Sequence, residues 1–374
     1  MKVLMISGDP GVQDPNTEAG KRTEEYRQVL GTLDILVCRG SIWSFALGFF
    51  RGLKMMRRGY DIITAQDMEH SFLAWLFSKI YVIPWQMQIH TDIFSPYFVQ
   101  HSVLNRMRVL IAKFLLSRAD CIRVVSERIK NSIDTWRFNR QVAVKPPITV
   151  LPVFVDIEKI NNAPIKIDLH QKYGKDKFII LMASRITKEK NIALAVEAAA
   201  QVFQDLAQSD GTSRAIPQQR DMRVLEKLGA EARPILLIVG DGPEKQNLES
   251  RIKNLELQNS VTFEPYTNDL ASYYKTCDLF LLTSNYEGYG RTLIEAAATC
   301  AKIVSSDVGI ASEILEPECI FKVGDKEDLK QKLISALENK LPAPRLLAFP
   351  NKEEYLKLYR NGFEICLKNQ KNRK

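Results

Sequence analysis

Short apolar runs alternate with longer amphipathic segments along the first half of the chain. This alternation is typical of βαβ units, in which buried parallel strands are joined by helices that bury one stripe. The predicted strands of this half are Val3–Ser7, Leu33–Cys38, Asp61–Ala65, Gln86–His90 and Cys121–Val125. The predicted helices are Thr23–Leu30, Ile42–Arg57, Ser71–Ile80, Ser102–Leu116 and Glu127–Asp134.

The helix predicted at Ser102–Leu116 has a pronounced apolar stripe. Its members recur at helical spacing and are Val103, Met107, Leu110, Ile111 and Phe114. We expect this stripe to be buried and the basic side of the helix to face solvent.

The same alternation restarts after a polar, proline-containing linker near residues 153–165. The predicted strands of the second half are Phe178–Ala183, Ile235–Val239, Val261–Phe263, Leu279–Leu282 and Lys302–Ser305. The predicted helices are Ile192–Phe203, Pro243–Leu255 and, near the end of the chain, Lys352–Leu367. The intervening segment 209–233 is interpreted as a loop insertion with one short helix.

Two series of βαβ units predict an α/β protein with two doubly wound domains, each of them Rossmann-like, that face a central cleft. Ligands of such sheets bind beyond the carboxyl ends of the strands, so the cleft is the expected site. We place the first domain at 1–158, the second at 159–350 and a C-terminal helix and tail at 351–374. The length of 374 residues is sufficient for two cores.

Basic residues are concentrated in the first half. Residues 1–155 contain 20 Lys and Arg against 13 Asp and Glu, whereas the remainder is nearly neutral. Clusters without acidic residues occupy 39–58 and 101–118, which indicates either an anionic partner such as a membrane face or simply solvated helix faces. Nucleic acid is not expected as a partner, because the clusters lack interleaved exposed aromatic residues and a recognition motif.

The six cysteines are scattered, with no CxxC motif and no nearby histidine. We therefore expect neither disulfides nor a zinc site, and a cytoplasmic location. The N-terminal apolar run is too short for a signal peptide. The longest apolar stretch, Phe72–Ile89, contains Lys79 and Pro84 and is not expected to span a membrane.

Residues 284–297 form the most informative motif. Glu287 and Glu295 flank Gly288 and Gly290 between an apolar run and a helix-forming run. A strand followed by a glycine-rich loop and a helix presents backbone N–H groups to an anion, and carboxylates beside it can accept hydrogen bonds from hydroxyls. Phosphate next to hydroxyls indicates a nucleotide sugar; the alternative is a solvated helix with two surface glutamates.

Five further positions are candidates because each follows a predicted strand or opens a helix. Arg185 and Lys190 can direct two cations at one diphosphate, and Gly240 can allow close backbone approach or form a plain βα turn. His90 can donate a hydrogen bond at a site edge or be structural, and Gly20 is predicted to open a helix near the phosphates or the acceptor.

These motifs together resemble the retaining GT-B glycosyltransferases of family 4, and the resemblance extends over nearly the whole chain. It rests on 184–190, 239–243, 284–297 and 305–309, with 125–127 and 152–156 also in family order. The sequence departs from the family pattern at Gly20, where many members have a glycine pair, and at 298–301.

The resemblance implies a role for each candidate. Arg185 and Lys190 would bind the diphosphate, Glu295 the ribose, Glu287 the transferred sugar, and His90 would assist the reaction. Donor contacts would also come from Gly20, Gly240, Tyr266, Gly288, Tyr289, Gly290, Arg291 and Thr292, with the base near Glu264–Tyr266.

The resemblance further implies a hexose donor linked to UDP or GDP and an acceptor that is a saccharide or lipid-linked. It implies no metal or other cofactor, retention of the anomeric configuration, and a C-terminal helix that returns to the first domain. Two alternatives remain open: a nucleotide-sugar epimerase, for which Asp92 is the obvious extra carboxylate, and a catalytically silent nucleotide-sugar-binding protein.

Overall fold

The computed structural model describes residues 1–39, 42–207, 234–299, 302–345 and 349–373. The insertion predicted at 209–233 lies outside the described residues. The chain divides into two compact units, one formed by Met1–Phe154 with Phe349–Lys374 and the other by Val155–Ala348.

The described secondary structure alternates strands and helices through both units. The strands are Lys2–Ser7 (β1), Thr32–Val37 (β2), Ile62–Gln66 (β3), Trp85–Ile89 (β4), Cys121–Val124 (β5), Ile148–Val150 (β6), Phe178–Ala183 (β7), Pro234–Val239 (β8), Val261–Glu264 (β9), Leu279–Leu282 (β10), Ile303–Ser306 (β11) and Ile320–Phe321 (β12). The α-helices are Glu18–Leu30 (α1), Ile42–Met56 (α2), Met68–Tyr81 (α3), Pro96–His101 (α4), Val103–Leu115 (α5), Glu127–Asn139 (α6), Ile157–Asn162 (α7), Leu169–Tyr173 (α8), Ile192–Ala207 (α9), Lys245–Asn254 (α10), Leu270–Thr276 (α11), Arg291–Ala297 (α12), Ala311–Ile314 (α13), Lys326–Leu337 (α14) and Lys352–Arg373 (α15).

The sheet of the first unit is parallel, with the order β2-β1-β3-β4-β5-β6. The chain moves in one direction along the sheet between β1 and β2 and in the other direction from β2 onwards. Because parallel crossovers are right-handed, α1 lies on one face of the sheet, and α2, α3, α5 and α6 lie on the other. All five residues of β4 are buried, as expected for a strand that is covered by helices on both faces.

The C-terminal helix α15 packs on the same face of the first sheet as α1. Tyr359 stacks on Tyr26 with a centroid distance of 3.9 Å, and Phe363 belongs to the same buried cluster as Val3 and Met5. Residues at the end of the chain therefore complete the core that the first strand begins.

A disulfide joins α15 to the sheet, which corrects the prediction that disulfides are absent. It links Cys121 in β5 to Cys366, with a Cα–Cα distance of 5.1 Å. The two cysteines are 245 residues apart in sequence, so the spacing rules that underlie the prediction could not detect the pair. Cys38 and Cys319 are reduced thiols.

Helix α5 is oriented opposite to the prediction. Its buried residues are Asn105, Val109, Ala112 and Leu115, and the apolar stripe of Val103, Met107, Leu110 and Phe114 is exposed, with Ile111 only half-buried. The reason lies in two polar contacts that fix the rotation of the helix. The Asn105 amide donates to the Phe98 carbonyl at 2.9 Å, and Arg108 donates to Glu69 of α3 at 2.6 Å.

The second unit contains a parallel sheet of order β12-β11-β10-β7-β8-β9. Strand β8 is buried along its whole length, and helices α9 and α14 pack against each other beside the sheet. The elements that the sequence analysis did not predict include β6 of the first unit and β12 and α14 of the second.

The α/β fold class, with two separate parallel sheets, is confirmed. The predicted strand and helix positions differ from the structure mainly at their ends, and the linker region contains the short helix α7. No helix in the described part of the chain is both long enough and apolar enough to cross a membrane.

Candidate functional site

The central feature of the second unit is an ion pair beside the carboxyl ends of two neighbouring strands. Strands β7 and β10 pair in parallel, so the loops that follow them leave the same edge of the sheet. Lys190, after β7, lies 2.5 Å from Glu287, after β10, measured from Nζ to Oε1. Ser284 donates to the same carboxylate oxygen at 2.7 Å. The predicted phosphate cation and the predicted sugar carboxylate are thus brought together.

Further hydrogen bonds join the two loops, each of them to a backbone carbonyl of the loop after β7. The hydroxyl of Thr283 donates to the carbonyls of Lys190 and Asn191 at 3.0 Å each, and the Asn285 N–H donates to the Glu189 carbonyl at 2.8 Å. These bonds fix the backbone on both sides of the Lys190–Glu287 pair, which is the preorganisation that a site needs to act on a charged ligand.

Arg185 lies at the exposed side of the same turn. Its guanidinium is 3.3 Å from the Glu189 carboxylate, and 76% of its side chain is accessible. Because such a surface ion pair is weak, Arg185 can exchange Glu189 for an incoming anion at little cost. Arg185 and Lys190 therefore meet the requirement for two cations on one strand-to-helix turn.

Glu295 occupies a separate, mostly buried position on α12. Its carboxylate accepts from Arg291 at 2.7 Å, one turn earlier, and from the buried Tyr274 hydroxyl at 3.2 Å. Burial and the neighbouring Glu295 raise the pKa of Tyr274 well above its ordinary value, so this phenol remains a donor. Thr292 lies half-buried on the same helix.

The glycine-rich loop between the two glutamates is hydrogen-bonded to the segment that follows β11. Gly290 precedes α12 with a left-handed φ of 86°, which favours glycine. Tyr289 is buried, and its carbonyl accepts from the Ile310 N–H at 2.9 Å. Gly288 is half-buried.

Gly240 is required for the approach of two loops. Its φ is 143°, and a Cβ there would lie 2.0 Å from the Ser184 carbonyl oxygen, next to Arg185. The turn at Gly240 therefore packs against the backbone next to Arg185, one of the two residues predicted to bind the diphosphate. Helix α10 begins at Lys245, so the prediction that Pro243 is its first residue is wrong.

The region expected to hold the base contains Glu264 and Tyr266. Tyr266 is exposed and donates to Asn268 at 2.8 Å. Glu264 accepts from Lys172 at 2.6 Å and from the hydroxyls of Tyr173 and Tyr273. Burial alone would raise the pKa of Glu264, but these hydrogen bonds outweigh it and lower the pKa.

In the first unit, His90 directly follows β4. Burial, with the positive charges of Arg123 and Arg22 acting in the same direction, lowers its pKa to about 3. Its Nε2 is buried and has no hydrogen-bond partner among the described residues. His90 is therefore a neutral ring that can donate or accept a hydrogen bond, but it carries no charge near neutral pH.

Gly20, also in the first unit, has a structural reason to be glycine. A Cβ there would lie 1.8 Å from the Asp14 carbonyl oxygen. Helix α1 begins at Glu18 after the N-cap Thr17, whose hydroxyl accepts from the Gly20 N–H at 2.9 Å. The prediction that Gly20 opens the helix is wrong by two residues.

Several residues of the site were not predicted individually. Ser284 and Thr283 lie within or beside the glutamate motif, so their position after β10 was a usable signal. Tyr274 lies on α11, and its partner Glu295 is 21 residues away in sequence. That contact depends on the packing of α11 against α12, which no local pattern encodes.

The second unit also coincides with a known sequence family. The model of the family described as "Glycosyl transferases group 1" matches residues 166–354, which is half of the chain and includes every candidate from Arg185 to Glu295. The chain belongs to the group 1 glycosyltransferases. The family match includes the ion-paired strand ends, which are the candidate site of this family member.

Two named proteins are similar in sequence to this glycosyltransferase over about two thirds of its length. The alpha-monoglucosyldiacylglycerol synthase of Streptococcus pneumoniae is 28% identical over 69% of this chain and 54% of its own length. A Campylobacter jejuni transferase that is named as acting on a diphospho-undecaprenol saccharide, with N-acetylgalactosamine as the transferred sugar, is 27% identical over 63% of this chain and 56% of its own length. The matches thus span little more than half of these relatives.

Solved structures resemble the glycosyltransferase over almost its entire length. Anabaena HepE in complex with UDP superposes with a TM-score of 0.64 at 19% identity, covering 99% of this chain and 95% of the other. The lipopolysaccharide outer core galactosyltransferase WaaB superposes with a TM-score of 0.60 at 14% identity, covering 100% and 98%. At these identities the likeness establishes the shared fold.

Proposed function

We propose that this group 1 glycosyltransferase is a retaining family 4 enzyme that transfers a hexose from a nucleoside diphosphate sugar, linked to UDP or GDP, to an acceptor hydroxyl. The observation that carries the proposal is the Lys190–Glu287 pair between the loops after β7 and β10, with Arg185 on the same turn. A cation for phosphate and a carboxylate for sugar hydroxyls lie within one hydrogen bond of each other.

In the proposed reaction, the bond between the anomeric carbon and the diphosphate oxygen breaks while the acceptor oxygen bonds to the same carbon. The acceptor proton moves to the leaving phosphate oxygen. Because the acceptor oxygen attacks the anomeric carbon from the face that the phosphate leaves, the anomeric configuration is retained. Arg185 and Lys190 stabilise the negative charge that develops on the diphosphate. No carboxylate nucleophile is needed, and the two cations supply the charge that a metal would otherwise supply.

The remaining candidates are assigned to binding. Glu287, once Lys190 turns towards phosphate, accepts hydrogen bonds from the transferred sugar, and Glu295 accepts them from the ribose. The loop from Gly288 to Thr292 contributes backbone N–H groups, and Gly20, Gly240 and Tyr266 border the donor. His90, neutral and with a buried ring nitrogen to offer, donates to a sugar hydroxyl.

We place the acceptor at an anionic membrane face, as a lipid-linked saccharide or glycolipid, in the synthesis of cell-surface polysaccharide or glycolipid. This is supported by the excess of basic residues in the first half and by two relatives, one named for a glycolipid product and one for a lipid-linked acceptor. The enzyme would then work in the cytoplasm, with peripheral contact to the inner membrane face. This location rests on the proposed membrane contact and not on cysteine usage, because Cys121 and Cys366 form a disulfide.

The epimerase alternative gains no support from the described residues. Its extra catalytic carboxylate would be Asp92, whose oxygen accepts instead from the Ser132 hydroxyl at 2.9 Å and from the Phe94 N–H at 3.2 Å. These bonds give Asp92 a local structural role in the turn after β4.

The deciding experiment is calorimetric titration with UDP, GDP, ADP and TDP, with and without EDTA, on the wild type and on Arg185→Ala. Selective binding of UDP or GDP that persists in EDTA and weakens in the variant supports the donor site. Absence of binding to all four nucleotides would overturn the donor site and, with it, both the transferase and the silent nucleotide-sugar-binding alternative. Transfer from the matching nucleotide sugar, with the anomeric configuration of the product read by NMR, then tests retention.

A further inference from the structure

Helices α2 and α5 each expose a row of large apolar side chains. In both helices the row has the spacing i, i+4, i+7, which places its members on one helical face. The exposed fractions are 79% for Trp43, 58% for Leu47 and 68% for Phe50 on α2, and 73% for Val103, 55% for Met107 and 65% for Leu110 on α5. Exposed apolar rows of this size mark interaction surfaces in water-soluble folds.

The two rows belong to one side of the first unit. Helix α3 packs between α2 and α5, and all three lie on the same face of the sheet. Aromatic contacts connect them: Phe49 of α2 lies 5.5 Å from Phe77 of α3, and Trp75 of α3 lies 5.1 Å from Phe114 of α5, both between ring centroids. The rows are therefore carried by a single rigid helical layer.

The same layer is fringed by positive charge. Lys54 and Arg57 lie exposed at the end of α2, Arg106 and Lys113 lie beside the row on α5, and the Arg118 guanidinium stacks 3.8 Å from the centre of the Phe114 ring. Neither 39–60 nor 93–119 contains an Asp or Glu. Apolar rows and cations alternate without an acidic residue in either segment.

We propose that this α2–α5 surface, defined by the six apolar residues and their basic fringe, docks on an anionic phospholipid bilayer by shallow insertion. The apolar side chains enter the boundary between headgroups and acyl chains, while Lys and Arg contact the anionic headgroups. The proposal rests on the membrane contact proposed above and is independent of the transfer chemistry. If the α5 row were buried, as the sequence predicted, only the basic residues could contact the membrane. Because the row is exposed, the contact we propose includes apolar insertion as well as charge.

Charge decides in favour of a bilayer over a second copy of this chain. A symmetric dimer through this surface would bring the same cations of both copies together, because a two-fold interface joins identical patches. An anionic bilayer offers both components that the surface matches, namely an apolar interior and a negative face.

The test uses the full chain with vesicles of phosphatidylcholine alone and with added phosphatidylglycerol. We compare wild type with Trp43→Ser/Leu47→Ser, Met107→Ser/Leu110→Ser and a charge variant in which Lys54, Arg57, Arg106 and Lys113 become Ser. The matched control is Leu358→Ser, an exposed apolar residue on α15, which packs on the opposite face. Each apolar pair should lower partitioning to anionic vesicles more than about tenfold, and each removed cation about fivefold; the control should bind as wild type.

Insertion itself is read from tryptophan emission. Anionic vesicles should shift wild-type emission to the blue and brominated lipids should quench it, and Trp43→Phe should remove most of both changes. Loss of binding in the charge variant with unchanged binding of both apolar pairs would overturn insertion. A wild-type dimer in ultracentrifugation that the Met107 and Leu110 substitutions dissociate would overturn the bilayer as occupant.

Nucleotide titration of the same variants separates this proposal from the donor site. Unchanged nucleotide binding in a variant that no longer sediments with vesicles shows that the surface, and not the fold, was affected. Vesicle binding by a wild type that binds no nucleotide would refute the proposed donor site and leave the docking surface supported.

Discussion

The two units share a parallel α/β plan but use charge differently. In the second unit the candidate cations lie against carboxylates: Lys190 against Glu287 and Arg291 against Glu295. In the first unit the candidate residue His90 is neutral and half-buried, with a buried Nε2, and the notable cations lie on exposed helices. One unit holds opposite charges in fixed positions at its strand ends, and the other presents positive charge on its surface.

The difference indicates a division of labour within one architecture. Paired charges inside a protein are held in place by each other, so an anionic ligand finds them already oriented. Cations on an exposed helix act over a distance and are screened by salt, which suits attraction to a surface rather than catalysis. The fold is common to both units, so the function of each has to be derived from its side chains.

The largest effect is expected from Lys190→Ala. The substitution removes the cation nearest to the proposed diphosphate and leaves the Glu287 carboxylate without its ion-pair partner. Loss of one such electrostatic contact typically lowers kcat by about 100- to 1,000-fold. The measurement is nucleoside diphosphate release at saturating donor and acceptor.

The matched control is Lys188→Ala, an exposed lysine in the same short 3-10 turn, Lys188–Lys190. It changes the charge of the turn equally without touching Glu287 and should retain activity within about threefold of the wild type. Equal losses in both variants would show that the turn acts through its overall charge and would remove the distinction between paired and surface cations.

A second effect should appear in the first unit when Cys121 and Cys366 are both replaced by Ser. The disulfide closes a very long loop and anchors α15 to β5, so its removal should lower the free energy of unfolding by about 2–4 kcal/mol. Thermal unfolding with and without reductant measures this. Nucleotide affinity should not change, because the paired charges proposed to bind the diphosphate and the ribose lie in the other unit.

Thiol titration under denaturing, non-reducing conditions provides the control for this pair. The wild type should have two fewer reactive thiols than its fully reduced form, and the double variant should show no such difference. Equal thiol counts in the untreated and reduced wild type would refute the pairing.

The sequence allowed prediction of the fold and of the second unit's site because both depend on local patterns. Runs such as Phe178–Ala183 and Leu279–Leu282 are apolar throughout, bounded by polar turns, and match the observed strands residue for residue. Arg185, Lys190 and Glu287 directly follow these strands. Parallel pairing then brings them together without further information.

The sequence could not reveal features that depend on which of two faces is buried or on distant pairing. Helix α5 carries two stripes, and the smaller one, with Asn105 and Ala112, is buried because Asn105 and Arg108 find partners on neighbouring elements. The Cys121–Cys366 disulfide likewise joins elements from opposite ends of the chain. Periodicity shows that a helix is amphipathic. It does not show which stripe is buried when polar residues of the helix bind partners on other elements.

The stability of the first unit should depend on pH through His90. Its folded pKa of about 3 lies below the ordinary value near 6.5, so between these values the unfolded chain binds a proton that the folded chain does not. This contribution to stability is complete above pH 6.5 and is lost as the pH falls towards 3. At pH 4.5 the loss should be about 2–3 kcal/mol in the free energy of unfolding.

His90→Gln removes the titrating group and should flatten this part of the pH dependence of stability between pH 7 and pH 4.5. The imidazole NMR signal that disappears in the variant should not titrate above pH 5 in the wild type. A midpoint near 6.5 would mean that folding does not lower the pKa of His90, and the predicted loss of stability at low pH would then be refuted.

The smallest effects are expected on nucleotide affinity, from substitutions of Glu295 and of Tyr274, whose hydroxyl donates to it. Glu295→Gln should weaken nucleotide binding about tenfold, because the proposed ribose acceptor loses its charge and its pairing with Arg291. Tyr274→Phe keeps that ion pair and removes only the hydroxyl that supports the other carboxylate oxygen, so a loss of about threefold is expected. Calorimetry with the preferred nucleotide and with its free base distinguishes the two roles. If Glu295 contacts the ribose, Glu295→Gln weakens the nucleotide but not the free base; equal weakening of both would place Glu295 outside the ribose site and reduce it to a structural partner of α11.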